Sequence, residues 1–210
     1  MTIGQYGAGS YEFNGHISNL RILKGTALYT SNFTPPFREL EVIPNTVLLC
    51  AQSKTQANLE RTGKTITVNG NAVASELTPG LLTNVVKSGG SSAITGSVAF
   101  SGTTNYLDIS TNSDFALGTG DFTIECWINT STNTLDNYYR RIYMTDGPTG
   151  NASGNFQISI EPTTGKINLW ETSGALDVYS TSNVTSGSWN HIAACRSGTT
   201  LRLFVNGISE

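Results

Sequence analysis

The sequence predicts an all-β protein, a sandwich or jelly roll of two antiparallel sheets, and three observations predict it. Short runs that alternate apolar and polar residues recur roughly every dozen residues from Gly96 onward. Gly, Asn, Ser and Thr bound nearly every run, as turns require. With 22 glycines and only 13% charged residues among 210, the composition suits many turns and short strands better than helices. A chain of this length can bury the core of one large sandwich or of two small domains, and the single sandwich is preferred.

Taken in order, Tyr11 to Ile22, YEFNGHISNLRI, puts Phe13, Ile17, Leu20 and Ile22 in strand-like positions around Gly15 and predicts a closing strand pair. The next stretch, GTALYTSNFTPPF, opens on Gly25 and ends on Pro35 and Pro36. It predicts irregular coil or a single helical turn, packed by Leu28, Tyr29 and Phe33. Arg38 to Pro44 has charge without period, as a linker does. Asn45 to Gln52 supplies a short apolar strand, and Lys64 to Gly70 alternates Ile66 and Val68 before Asn69-Gly70, a hairpin signal. Leu77 to Ser92 predicts a surface loop.

The strand pattern is densest beyond Gly96. SVAFSG, NYLDIS, DFTIECWI, RRIYMTD, GNFQISIEP, KINLWET, LDVYS, WNHIAACRSG and TLRLFVNG follow one another, and LFVNGISE ends on an Asn206-Gly207 turn with no partner strand in view. In DFTIECWI, Phe122, Ile124, Cys126 and Ile128 share one face while Thr123, Glu125 and Trp127 share the other. That is the signature of an interior strand with a large aromatic on its second face.

A formal charge of −3, with no stripe of Lys and Arg, argues against sequence-independent nucleic-acid binding. The apolar runs are much shorter than a bilayer-spanning helix, so no membrane insertion is expected. The opening MTIGQYGAGSYEF has neither the basic nor the apolar region of a signal peptide. Cys126 and Cys195 fall on opposite strand faces, so they and Cys50 are expected as three free, buried or half-buried thiols, suited to folding in a reducing cytoplasm.

Five motifs occur in a fixed order: Val98-Ala-Phe-Ser-Gly, Tyr106-Leu-Asp-Ile, Asp121-Phe-Thr-Ile-Glu-Cys-Trp-Ile, Trp189-Asn-His-Ile-Ala and Leu201-Arg-Leu-Phe-Val-Asn-Gly. On these the chain resembles the laminin-G-like, concanavalin A-like lectin/glucanase jelly rolls, especially the variant repeated in bacteriophage tail-fibre and bacterial surface proteins. In that family the domain closes with Phe-x-Gly-x-Ile-x-x-Leu-Arg-Ile. Here the closing segment is Phe13, Gly15, Ile17, Leu20, Arg21 and Ile22, at the N-terminus.

The resemblance therefore implies a circularly shifted jelly roll. Residues 1–36 would be closing strands, 37–45 a linker, and 46–210 the front and middle strands, forming one compact domain or one out-of-frame period of a tandem array. The N-terminal strands would complete their own sandwich, or instead complete a neighbouring copy in a homo-oligomer made by strand exchange. Self-completion ranks first, because without those strands the front portion leaves apolar faces uncovered.

No catalytic residue is assigned. Glycosidases of this general fold pair carboxylates on one strand, whereas Glu125 stands alone and Glu161 precedes a turn. Glu125 is expected to pair across the sheet. His16 and His191 lie in structural motifs, and no Cys or His spacing suggests zinc. Calcium is the one metal the resemblance leaves open, with Asp136, Asp146 and Asp177 in or beside loops; none is assigned as a ligand. For glycan binding the candidates are Tyr138, Tyr139, Asp136 and Asn137 in one loop, with Trp170 and Tyr179 second, since rings stack on sugar faces while polar neighbours bond the hydroxyls. Trp127 and Trp189, which sit in the family's core motifs, are read as aromatics packed under a loop.

The resemblance implies a non-enzymatic adhesion or structural module on a virion or extracellular surface. Its partners would be cell-surface glycans or other surface subunits. A purely structural decoration or assembly protein is the alternative, and a glycoside hydrolase a distant third.

Overall fold

The computed structural model describes residues 1–5, 11–80, 94–102, 104–131, 138–145, 156–171 and 176–210. Strands β1 (Thr2–Ile3) and β2 (Asn14–Lys24) open the chain. They are followed by β3 (Thr46–Cys50), β4 (Ile66–Asn69), β5 (Val73–Ser75), β6 (Ser97–Ser101) and β7 (Tyr106–Ile109). After a 3-10 turn at Ser113–Phe115 come β8 (Phe122–Thr130), β9 (Arg140–Met144), β10 (Phe156–Ile160), β11 (Lys166–Glu171) and β12 (Asp177–Asn183). Then β13 (Asn190–Ser197), β14 (Thr200–Val205) and β15 (Ile208–Ser209) end the chain. No helix among the described residues is long and apolar enough to cross a membrane.

The strands form a jelly-roll sandwich of two antiparallel sheets. Sheet A runs β12-β11-β10-β9-β1-β7-β4, and sheet B runs β15-β14-β13-β8-β2-β6-β5 with β3 added alongside β2. Alternation fixes which residues face inward. From sheet B, Ile17, Leu20, Ile22, Phe122, Ile124, Cys126, Ile128, Ile192, Ala194, Leu203 and Val205 enter the core. They meet Ile3, Leu107, Ile109, Ile142, Ile158, Ile160, Ile167 and Leu169 from sheet A. The two N-terminal strands lie inside the sheets: β1 pairs with β7 and β9, and β2 pairs with β8 on one side and with β6 and β3 on the other.

Four sequence expectations are corrected. The segment Tyr11 to Ile22 leads into one long strand, β2 (Asn14–Lys24), instead of forming a strand pair. Ile17 and Leu20 have opposite parity, yet both are buried, because the register slips between Ser18 and Arg21 where Asn19 takes φ 53°. Gly15 in the same strand lies against β8 so closely that a Cβ would overlap the Asn129 carbonyl. Asn69-Gly70 does not close a hairpin: β4 belongs to sheet A and β5 to sheet B, so the turn is a corner between sheets. It stacks on the parallel corner from β6 to β7, where Asn105 Oδ1 accepts from the Asn71 amide. After Asn206-Gly207 the chain does find a partner, since β15 returns on β14. Finally, Leu28 is exposed, while Tyr29 and Phe33 do pack as expected.

All three cysteines are free and buried. Cys50 and Cys126 lie in the inter-sheet core and Cys195 lies on the outer side of sheet B, so strand parity separates Cys126 from Cys195 as expected.

Candidate functional site

Two polar regions lie on the outer faces of the sandwich, and both arise from the outward residues of strands whose inward residues build the core. The first is on sheet B, beneath the coil of residues 25–43. Thr123 Oγ1 donates to Thr26 O (2.9 Å) and accepts from the Leu28 amide (2.8 Å). Trp127 Nε1 donates to Pro36 O (3.0 Å), Asn19 Nδ2 to Arg38 O (3.1 Å), and Gln52 Nε2 to Leu40 O (2.8 Å). Tyr29 and Phe33 stack at 3.6 Å between centroids and pack on Ala193, Cys195 and Phe204. The coil is thus pegged to the sheet along its length.

At the centre of that face is Glu125, which is 1% exposed. Its Oε1 accepts from Arg21 Nε (3.0 Å) and Nη2 (2.6 Å), the cross-strand partner that register places opposite it. Its Oε2 accepts from the Tyr29 hydroxyl (2.7 Å) and lies 3.3 Å from His191 Nε2. Burial alone would raise the Glu125 pKa, but the bonds and charges of His191, Arg21 and Tyr29 outweigh it and hold the carboxyl below its ordinary range. Burial, helped by the Glu125 charge, pushes the Tyr29 phenol up. A Glu, a His, a Tyr and an Arg in contact resemble catalytic machinery, yet both carboxylate oxygens are occupied and the coil covers them.

The second region is a groove of about 290 Å³ on the outer face of sheet A, lined by residues of β9 to β12 together with Tyr11 and Tyr139. Two cross-strand rows make its floor. Register aligns Arg141, Ser159, Asn168 and Tyr179 in one row, and Met144, Gln157, Trp170 and Asp177 in the next. The slip between Ile158 and Ser159 is what brings Arg141 and Met144 onto the same face.

The first row is hydrogen-bonded from Arg141 to Asn168, and Asn168 carries the chain on to Asp177 of the second row. Arg141 Nη1 donates to Ser159 Oγ (3.2 Å), Ser159 Oγ donates to Asn168 Oδ1 (3.5 Å), and Asn168 Nδ2 donates to Asp177 Oδ1 (2.8 Å) and Val178 O (3.3 Å). Aromatic rings flank this polar row. The Arg141 guanidinium lies over the rings of Tyr11 (5.0 Å) and Tyr139 (5.8 Å), which hold its plane. The Tyr139 and Tyr179 hydroxyls meet at 2.7 Å, and that bond, with burial second, raises the Tyr179 pKa.

Of the sequence candidates, Tyr139, Trp170 and Tyr179 come together in the groove. Tyr138 is 46% exposed and packs edge-on against Tyr11 at 5.4 Å, outside the lining. Asp136, Asn137 and Asp146 lie outside the described residues. Asp177, weighed as a calcium ligand, instead accepts from Asn168, and no cluster of metal-ligating side chains occurs among the described residues. Sequence reasoning missed Tyr11, Arg141, Gln157 and Asn168. The signal for Gln157, Ser159 and Asn168 was present: each is a polar residue in a strand whose alternate positions are Ile or Leu, so all share the outward face of neighbouring strands.

The family model described as the concanavalin A-like lectin/glucanases superfamily matches residues 100–210, a stretch that contains every strand of the groove. No curated protein and no solved structure matches the chain. With sandwich, strand motifs and family match in agreement, the chain belongs to the concanavalin A-like lectin/glucanase superfamily.

Proposed function

We propose that this chain is a non-enzymatic adhesion or structural module that binds glycans in the outer-face groove of sheet A. One observation carries the reading: a hydrogen-bonded polar chain, buried at Arg141, Ser159 and Asn168 and reaching the surface at Asp177, spans four strands and is bordered by Tyr11, Tyr139, Trp170 and Tyr179. A sugar offers flat apolar faces and a ring of hydroxyls. Rings at the border suit the faces, and fixed donors and acceptors on rigid strands suit the hydroxyls. Among the described lining residues Asp177 is the sole carboxylate, which favours binding over the two-carboxylate chemistry of glycosidases. A virion or extracellular surface is the setting we assign, supported by the likeness of the five strand motifs to repeated tail-fibre and surface modules. Several copies together would make weak single-site binding effective.

The test is a glycan array probed with the wild-type chain and with Trp170→Ala and Asn168→Ala. Binding to a restricted set of glycans, lost in both variants and unaccompanied by cleavage of the bound glycans, is expected. Stable oligomers that bind no glycan would overturn the reading in favour of a purely structural role, and cleavage would overturn it in favour of a hydrolase.

A further inference from the structure

The two tyrosines of the groove are far apart in the sheet. Tyr139 immediately precedes β9 and Tyr179 lies in β12, so β10 and β11 stand between them. Three interstrand spacings separate their backbones by about 14 Å. Their hydroxyls nevertheless bond at 2.7 Å, so the rings reach toward each other across the outer face of the intervening strands. Arg140 pairs with Ile160, the last residue of β10, which sets Tyr139 at the level of the turn from Glu161 to Gly165. The phenol pair therefore shuts the groove on the side of that turn. Trp170 stands one row beyond Asn168 on the other side.

The rings are held as a wall. Tyr139 is braced by the Arg141 guanidinium, which Ser159 fixes from below. Whichever phenol donates, the other keeps its own O–H for a ligand. The groove's volume, about 290 Å³, is at the lower bound of small-ligand sites, which run from about 300 to 1,000 Å³.

Taking the groove as the glycan site, we propose that the Tyr139–Tyr179 bridge makes it blind, so that it receives the terminal one or two sugar rings of a glycan and excludes the interior of a long chain. An interior segment would continue past both ends of the bound rings, and at one end it meets the bridge. The ligand class is a glycan chain end rather than the interior of a linear polymer.

The experiment compares glycans that carry the recognised sugar at a terminus with polymers that carry it only internally, using immobilised panels of both kinds. Wild type is expected to prefer termini by at least about tenfold. Tyr139→Ala, which removes the wall, should narrow that preference to about twofold, and Tyr179→Phe, which removes only the bond and keeps the ring, should fall between. Equal binding of termini and interiors by wild type, or a preference that survives Tyr139→Ala, would overturn the proposal. Glycan binding untouched by Trp170→Ala would place the ligand elsewhere, and silence of every protein on every glycan would overturn the glycan reading itself; either result removes the blind groove with it.

Discussion

The outer face of sheet B and the outer face of sheet A carry similar residue types and use them in opposite ways. On sheet B every outward residue of β8 under the coil is bonded to something: Thr123 and Trp127 to the coil backbone, Glu125 to Arg21 and Tyr29. On sheet A the outward row is bonded along itself, and its border residue Tyr179 is 40% exposed. The lesson concerns how a site is recognised. The sheet B cluster has the residues usually sought in an active site and a displaced carboxyl pKa, but an ion-pair network that anchors a coil displaces a pKa just as well. Sheet A has the plainer residues and the accessible space.

If sheet B is a lock and sheet A a site, substitutions should separate the two by readout. The largest effect belongs to Arg21→Ala. It leaves Glu125 buried without its guanidinium and should cost about 3–5 kcal/mol in urea unfolding, while folded protein keeps its glycan binding. Loss of binding without loss of stability would break the comparison. Trp170→Ala should do the reverse, weakening glycan binding by about 2 kcal/mol while changing unfolding by less than about 1 kcal/mol.

Acid sharpens the comparison further. The folded Glu125 carboxyl binds its proton less readily than the unfolded one, so the unfolded chain takes up more protons as pH falls past the ordinary value of 4.5, and stability drops. Its contribution is complete above that pH and is lost as pH falls through the folded-state value. Burial would raise Glu161 and Glu210 too, and threonine and serine donors outweigh it and hold both low, but both lie near the surface, where solvent screens them, and contribute less. Thermal melts of Glu125→Gln should therefore lie below wild type at neutral pH and vary less with pH in the acid range. A variant curve parallel to wild type would remove Glu125 as the source.

The smallest effect is in the core. Tyr143 is fully buried and its hydroxyl meets no partner among the described residues, so Tyr143→Phe should stabilise the chain by about 1 kcal/mol. A destabilised variant in chemical denaturation would show that the hydroxyl is satisfied.

Much of this was legible in the residues. Alternation in DFTIECWI placed Ile124 inward and Glu125 outward, and the cross-sheet partner expected for Glu125 is Arg21. The closing motif put Phe13, Ile17, Leu20 and Ile22 in strand-like positions, and all four are fully buried. Local signals failed where the deciding contacts are long-range. Asn69-Gly70 carries hairpin chemistry, yet β7 and β6 capture its two flanking strands into different sheets. The strand pair expected around Gly15 is one strand with a register slip between Ser18 and Arg21, a bulge that parity alone does not reveal. In the groove the aromatics Tyr139, Trp170 and Tyr179 stood out by type. Gln157 and Asn168 were legible only as outward polar residues of their strands, and it is the pairing of β9 to β12 that puts them in adjacent rows with Arg141.

The most direct measurement is a titration of isotopically labelled chain with the best glycan from the array, followed by backbone and side-chain amide shifts. The account predicts perturbations confined to sheet A, led by the side chains of Gln157 and Asn168, the Trp170 indole and the amides around Tyr179, with the coil of residues 25–43 unmoved. Shifts centred on that coil, or on the Arg21 and Glu125 cluster beneath it, would contradict the assignment of one face as lock and the other as site.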